Sequence, residues 1–141
     1  MSDLAYTFPV TVDPNDVMID FILGLEIPGL TAANVSIDLP ETSLMDRLPY
    51  VLVGHWGGES DRFGMRPDVD LSVFDNRYPK ARDLARLIEA RLLGYPFRVS
   101  SGGRSVLVDK VEAPVPTVEV EWQKDSTIRR FQGTYSLSIR R

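Results

Sequence analysis

The sequence predicts an α+β domain: a mostly antiparallel β-sheet with two amphipathic helices packed on it and a long hairpin loop. Three observations carry that reading. Several stretches alternate apolar and polar residues with period two, the mark of a half-buried strand. Two stretches repeat apolar residues at i, i+3 and i+4, the mark of an amphipathic helix. Each helix has a single apolar face, so it must lie on a sheet or on its partner.

In chain order, Tyr6, Phe8, Val10 and Val12 share a parity. Pro9 among them argues against a central strand, so the segment reads as an edge strand or, over residues 1–12, an extended amino-terminal arm. The first helix follows in "DPNDVMIDFILGLEIPG". Asp13 caps it, Pro14 suits its first position, and Asp16 complements the helix dipole. Val17 or Met18, Phe21, Ile22 and Leu25 form its apolar face, and Pro28-Gly29 is expected to stop it. "NVSIDL" places Val35, Ile37 and Leu39 on one face of a strand, and residues 40–48 read as a connection.

"PYVLVGH" reads as a buried strand. "DVDLSVF" is the next, with Val69, Leu71 and Val73 on one side and Asp68, Asp70 and Ser72 on the other. Between them, the Gly, Ser, Asp and Pro content of residues 57–67 predicts a long hairpin loop. The clearest helix is "NRYPKARDLARLIEARLLG", with Ala81, Leu84, Ala85, Ile88 and Leu92 on its apolar face. Asp75 or Asn76 stands near its start and Gly94 just past its end. "FRVS" and "SVLVDKVEA" flank Ser101-Gly102-Gly103, a turn with two glycines free to take positive φ. "TVEVEW" and "GTYSLSIRR" supply two more alternating strands.

The 141 residues make one ordinary domain, 1–141, long enough for a hydrophobic core without cross-links. At 43% hydrophobic and 26% charged, the composition is that of a soluble globular chain. A net charge of −4 argues against broad attraction to DNA or to an anionic membrane. The pairs Arg129-Arg130 and Arg140-Arg141 read as solubilising. With no cysteine, disulfides, thiolate catalysis and cysteine-ligated zinc are excluded. No signal-peptide pattern or membrane-length apolar run is seen. Asn34-Val35-Ser36 matches a glycosylation sequon, which without a secretion signal reads as chance.

"VLVGHWGGESDRFGMR" invites a catalytic reading, because it holds the one histidine, His55, beside Ser60 and Asp61. No nucleophile-elbow pattern surrounds Ser60, and one imidazole is too few for a typical metal site. Asp68 with Asp70, and Glu119 with Glu121, are carboxylate pairs able to hold Mg²⁺, yet a strand with one wet face has the same pattern. Gly102-Gly103 joins two strands instead of opening a helix, so it lacks the dipole of a phosphate-binding loop. The residues therefore predict no enzyme, no catalytic or metal residues and no cofactor.

The order of features from Leu48 to Gly94 resembles the tail terminator (tail-completion) proteins of long-tailed, siphovirus-type bacteriophages, especially those of actinobacterial phages. The matching residues are Gly57-Gly58, Asp61, Pro67, Val69 to Phe74 and Ala81 to Leu93. At the carboxyl end, Phe131, Thr134, Tyr135, Leu137 and Arg140 match the family's closing strand, and the helix after "VDP" also fits. His55-Trp56 departs from the pattern. The resemblance implies a structural virion protein that forms a ring, usually of six subunits, at the head-proximal end of the tail tube. Such a ring ends tube polymerisation and offers the head-joining surface. Its implied partners are copies of itself, the major tail tube protein and the head–tail connector or stopper. DNA passes through the lumen without specific binding, and no membrane is involved. The location is the virion, with the host cytoplasm during assembly.

On this reading Trp56, Arg62 and Phe63 are interface anchors on the hairpin loop, and Phe8 and Val10 reach a neighbour from the arm. Two rivals of structural type are a head–tail stopper or adaptor ring protein and a host-side binding module. A rival of another class is a small metal-dependent hydrolase using Asp68, Asp70, His55 and Glu119.

Overall fold

The computed structural model describes residues 12–60 and 64–140, with the side chains of residues 56, 59 and 60 excepted. The expectations on Phe8, Val10, Arg62 and Phe63, and on the arm up to Thr11, lie outside the described residues.

Among the described residues six strands form one sheet: β1 (Val35–Ser36), β2 (Tyr50–Ser60), β3 (Gly64–Asp75), β4 (Phe97–Ser101), β5 (Arg104–Val120) and β6 (Arg129–Arg140). Their order across the sheet is β1-β2-β3-β6-β5-β4. All neighbours are antiparallel except β1 with β2, which makes the sheet mixed at one edge. Two helices, α1 (Pro14–Gly24) and α2 (Tyr78–Leu92), cover one face. The expected α+β class, with its mostly antiparallel sheet and two amphipathic helices, is what the chain adopts.

The helices follow the predicted faces. Asp13 caps α1 by accepting from the Asn15 N–H at 2.9 Å, and Val17, Met18, Phe21 and Ile22 are buried. α1 stops four residues before Pro28, because Glu26 turns into the left-handed region at φ 54°. α2 buries Ala81, Ala85, Ile88 and Leu92. No side chain caps it: the Asp75 carboxylate instead accepts from the adjacent Asn76 N–H at 2.7 Å. On the sheet, Val51, Val53, Val69, Leu71, Val73, Tyr135, Leu137 and Ile139 face the helices, each at most 4% exposed. α1 reaches the far strand of the sheet, where Phe21 stacks on Phe97 with ring centroids 4.4 Å apart.

A second, smaller apolar cluster lies on the other face. Tyr50, Phe74 and Ile128 are buried there under Leu39, Leu44, Leu48, Leu52 and Trp122. The lid on this cluster includes a short 3₁₀ turn, Leu44–Arg47. It explains why the strand expected over residues 34–39 is only two residues long. Ser36 Oγ accepts from the Asp38 N–H, and the Tyr50 hydroxyl donates to the Asp38 carbonyl. These bonds turn the chain off the sheet edge and over its second face, leaving Ile37 exposed and sending Leu39 into the small cluster.

Two further expectations are corrected. Most of residues 57–67 is not loop: Gly58 pairs with Pro67, Glu59 with Arg66 and Ser60 with Met65, so the hairpin is a two-stranded ribbon. The strands expected at 105–113 and 117–122 are one strand, β5, which runs through Pro114 and Pro116. Among the described residues no strand pairs with the outer side of β5 beyond Val108, so a proline there removes no ladder bond to them.

Candidate assembly surface

The glycine pair shapes the β2–β3 ribbon. Trp56 and Gly57 stand opposite the single residue Asp68, which makes a β-bulge between the pairs His55–Val69 and Gly58–Pro67. Gly58 has φ +113°, and a Cβ there would lie 2.1 Å from the Arg66 carbonyl oxygen. Only glycine fits, because the bulge presses two backbones together at a positive φ. Gly57 faces the Asp68 carboxylate across the same bulge, where a Cβ would make ordinary contact at 3.6 Å from Asp68 Oδ2.

Beside the small apolar cluster, the polar side chains that β3 and β6 present on the helix-free face bond to one another. Ser136 Oγ donates to Asp68 Oδ1 at 2.5 Å, and Thr134 Oγ1 donates to Asp70 Oδ1 at 2.6 Å. Arg130 donates to Ser72 Oγ and to Gln132 Oε1 (2.9 Å), while its guanidinium lies over the rings of Phe74 and Trp122. Burial holds the Arg130 guanidinium below its ordinary pKa, with Asp70 opposing that shift. An open cleft of about 410 Å³ lies beside these residues, lined by Arg66, Asp68, Lys110, Glu112, Ser136 and Ser138.

This arrangement separates the residues of the hydrolase reading. Asp68 and Asp70 point to the helix-free face. His55 pairs with Val69 and so sits on the helix side, exposed at the rim. Glu119 pairs with Phe131, also on the helix side but towards the other end of β6, and grips Arg129 by two bonds of 2.6 and 2.9 Å. That grip holds the Glu119 carboxyl below its usual pKa. Among the described residues no group of three or more His, Asp or Glu side chains is placed to hold a metal ion.

Of the expected interface anchors, only Trp56 has a described backbone, inside β2 at the bulge. A different apolar feature is well defined. Val115, Val118 and Val120 pair with Thr134, Gln132 and Arg130, so they share the helix-free face, where they are 48%, 54% and 36% exposed. Alternation alone does not group these valines, since two register shifts in β5 bring an odd and two even positions to one side.

The edge that carries them is short of donors between Pro114 and Thr117. Pro114 and Pro116 have no N–H. The Thr117 N–H donates to Glu89 Oε2 of α2 at 2.7 Å, and the Tyr135 hydroxyl donates to the same oxygen at 2.8 Å. Gly133 makes room for this junction: a Cβ there would stand 2.7 Å from the Tyr135 hydroxyl oxygen and 3.1 Å from the Thr117 nitrogen.

This chain shares its fold with a virion component. The solved structure is described as the virion of a native gene transfer agent particle. The likeness has a TM-score of 0.54 at 17% identity and covers 89% of this chain and 87% of that one. No protein-family model and no curated protein matches the sequence.

Proposed function

We propose that this chain is a non-enzymatic structural subunit of a phage-like virion, and within it a tail terminator. Copies of it, six to a ring, sit at the head-proximal end of the tail tube, stop tube growth and offer the surface that the head's connector joins. The observation that carries the reading is the fold shared, over almost the whole of both chains, with a component of a gene transfer agent virion. The sequence resemblance adds to it. Its two matching regions, residues 48–94 and 131–140, fold as one contiguous unit in which β3 lies between β2 and β6 and is covered by α2.

The remaining partners follow from that place. The major tail tube protein meets one side of the ring and the head–tail connector or stopper the other, and DNA passes through the lumen. A helix-free face on which Asp68 and Asp70 are bonded to Ser136 and Thr134, and Lys110 is paired with Glu112, suits a lumen that lets DNA slide without gripping it. The separation of His55 and Glu119 from Asp68 and Asp70 disfavours the hydrolase alternative.

Electron microscopy of particles with and without the gene tests the reading. The expected result is a six-fold ring of this chain at the head end of the tail, and over-long, headless tails in its absence. A ring bound to the head vertex, with tails of normal length lacking only heads, would favour a stopper or adaptor and overturn the terminator reading. Trp56→Ala, Arg62→Ala and Phe63→Ala, tested one at a time, are expected to reproduce the headless tails while leaving the purified chain folded.

A further inference from the structure

The chain's charge is split between its parts. Residues 1–50 hold eight acidic residues and one basic, and residues 51–141 hold twelve and fifteen, giving formal charges of −7 and +3. The acidic groups Asp16 and Asp20 lie on α1, while Glu26, Asp38, Glu41 and Asp46 lie on the connections just before and after β1, the edge strand. Of the six, all but the half-buried Asp20 are exposed. α1 meets β1 to β4, whereas α2 lies over β3, β5 and β6.

α2 presents the opposite sign. Lys80, Arg86 and Arg91 are exposed on it, and among the described residues none of them forms an ion pair or hydrogen bond. The six acidic side chains likewise form no ion pair there. Unpaired charge of one sign over a whole surface raises the energy of the lone molecule and is relieved by a surface of the other sign. Both surfaces also carry apolar groups: Leu87 and Leu93 on α2 (38% and 42% exposed), Ile37 and Met45 on the acidic side (51% and 37%).

We infer that the outer face of α2 docks on the acidic β1 edge of a second copy of this chain, which α1 flanks on one face of the sheet and the connection after β1 on the other. The contact is head-to-tail. Each copy offers both a basic and an acidic surface, so the contact repeats and closes into a ring where the rotation allows it. The inference rests on the ring proposed above and assigns its subunit contact.

Sedimentation of the purified chain over a range of concentration and salt tests it. The association constant is expected to fall about tenfold or more between about 20 mM and about 500 mM salt. Arg86→Glu with Arg91→Glu abolishes association, and so does Asp16→Lys with Asp20→Lys. An equal mixture of the two variants associates again, because each then supplies the surface its partner lacks, and that rescue shows both are folded. No association of the parent chain at any salt, association indifferent to salt, or failure of the mixture to recover would each overturn the inference. A salt-indifferent ring would leave the terminator reading standing, since that reading is decided separately by the micrographs of particles.

Discussion

Tyr135 on β6 reaches across the core to Glu89 on α2, donating its hydroxyl to Oε2 at 2.8 Å. Burial pushes the phenol's pKa well above its ordinary value of 10, and the Glu89 carboxylate pushes it further in the same direction. Below pH 10 both folded and unfolded chains keep this proton. Above pH 10 the unfolded chain releases it while the folded chain retains it, so stability falls as pH rises. Tyr135→Phe is expected to flatten that alkaline slope and to cost about 1–2 kcal/mol at neutral pH, because Glu89 loses a donor. Urea unfolding followed from pH 7 to 11 measures both effects.

Gly58 and Gly54 lie on the same strand and are expected to respond very differently to a side chain. Gly58→Ala places a Cβ 2.1 Å from the Arg66 carbonyl oxygen at φ +113°, and should destabilise by about 2–3 kcal/mol or unpair the outer ribbon. Gly54→Ala meets nothing within 4 Å and should change stability by less than about 0.5 kcal/mol. Thermal unfolding of the two variants, with amide exchange at Glu59 and Ser60, separates a local loss from a global one.

Asp70→Ala is expected to lower stability by about 1 kcal/mol, since Thr134 loses its acceptor. Added Mg²⁺ or Mn²⁺ should leave the melting temperature of the parent chain unchanged. A metal-dependent rise that vanished in Asp68→Ala and Asp70→Ala would reopen the hydrolase reading.

Glu26→Gly should stabilise modestly. Glu26 ends α1 in the left-handed region at φ 54°, which costs a residue with a side chain about 1–2 kcal/mol. Glycine avoids that strain but adds freedom to the unfolded chain, so a net gain of roughly 0.5 kcal/mol is expected in chemical unfolding.

The helices were legible because their signals are local. The run Ala81, Ala85, Ile88, Leu92 needs only helical periodicity to be read, and the Asp13 cap needs only two neighbouring residues. What escaped depends on partners distant in sequence. β1 is cut short by a bond from Tyr50, twelve residues away, to Asp38. β5 absorbs Pro114 and Pro116 because no described strand pairs with its outer side there, a consequence of strand order that no short window contains. Residues 57–67 look like loop by composition, yet their glycines serve a bulge and the close approach of β3 to β6: a Cβ on Gly64 would lie 2.3 Å from the Ile139 carbonyl oxygen. The candidate surface was the least legible part. The three valines converge only after two register shifts. Glu89 reads as one more outward charge on α2 until the Thr117 N–H and the Tyr135 hydroxyl are placed beside it.

The middle of β5 bears on the life of the molecule before assembly. An exposed valine-rich strand ordinarily recruits other strands and seeds aggregates. Here two prolines withhold their donors, and Glu89 occupies the N–H of Thr117. Recruitment through backbone bonds is weakened along that stretch, where donors are scarce, and a partner meets Val115 chiefly through its side chain. Such contacts are weaker singly and easily reversed. A newly made copy can therefore wait in a crowded cell without sticking irreversibly to its siblings, and bind when a correctly shaped surface appears.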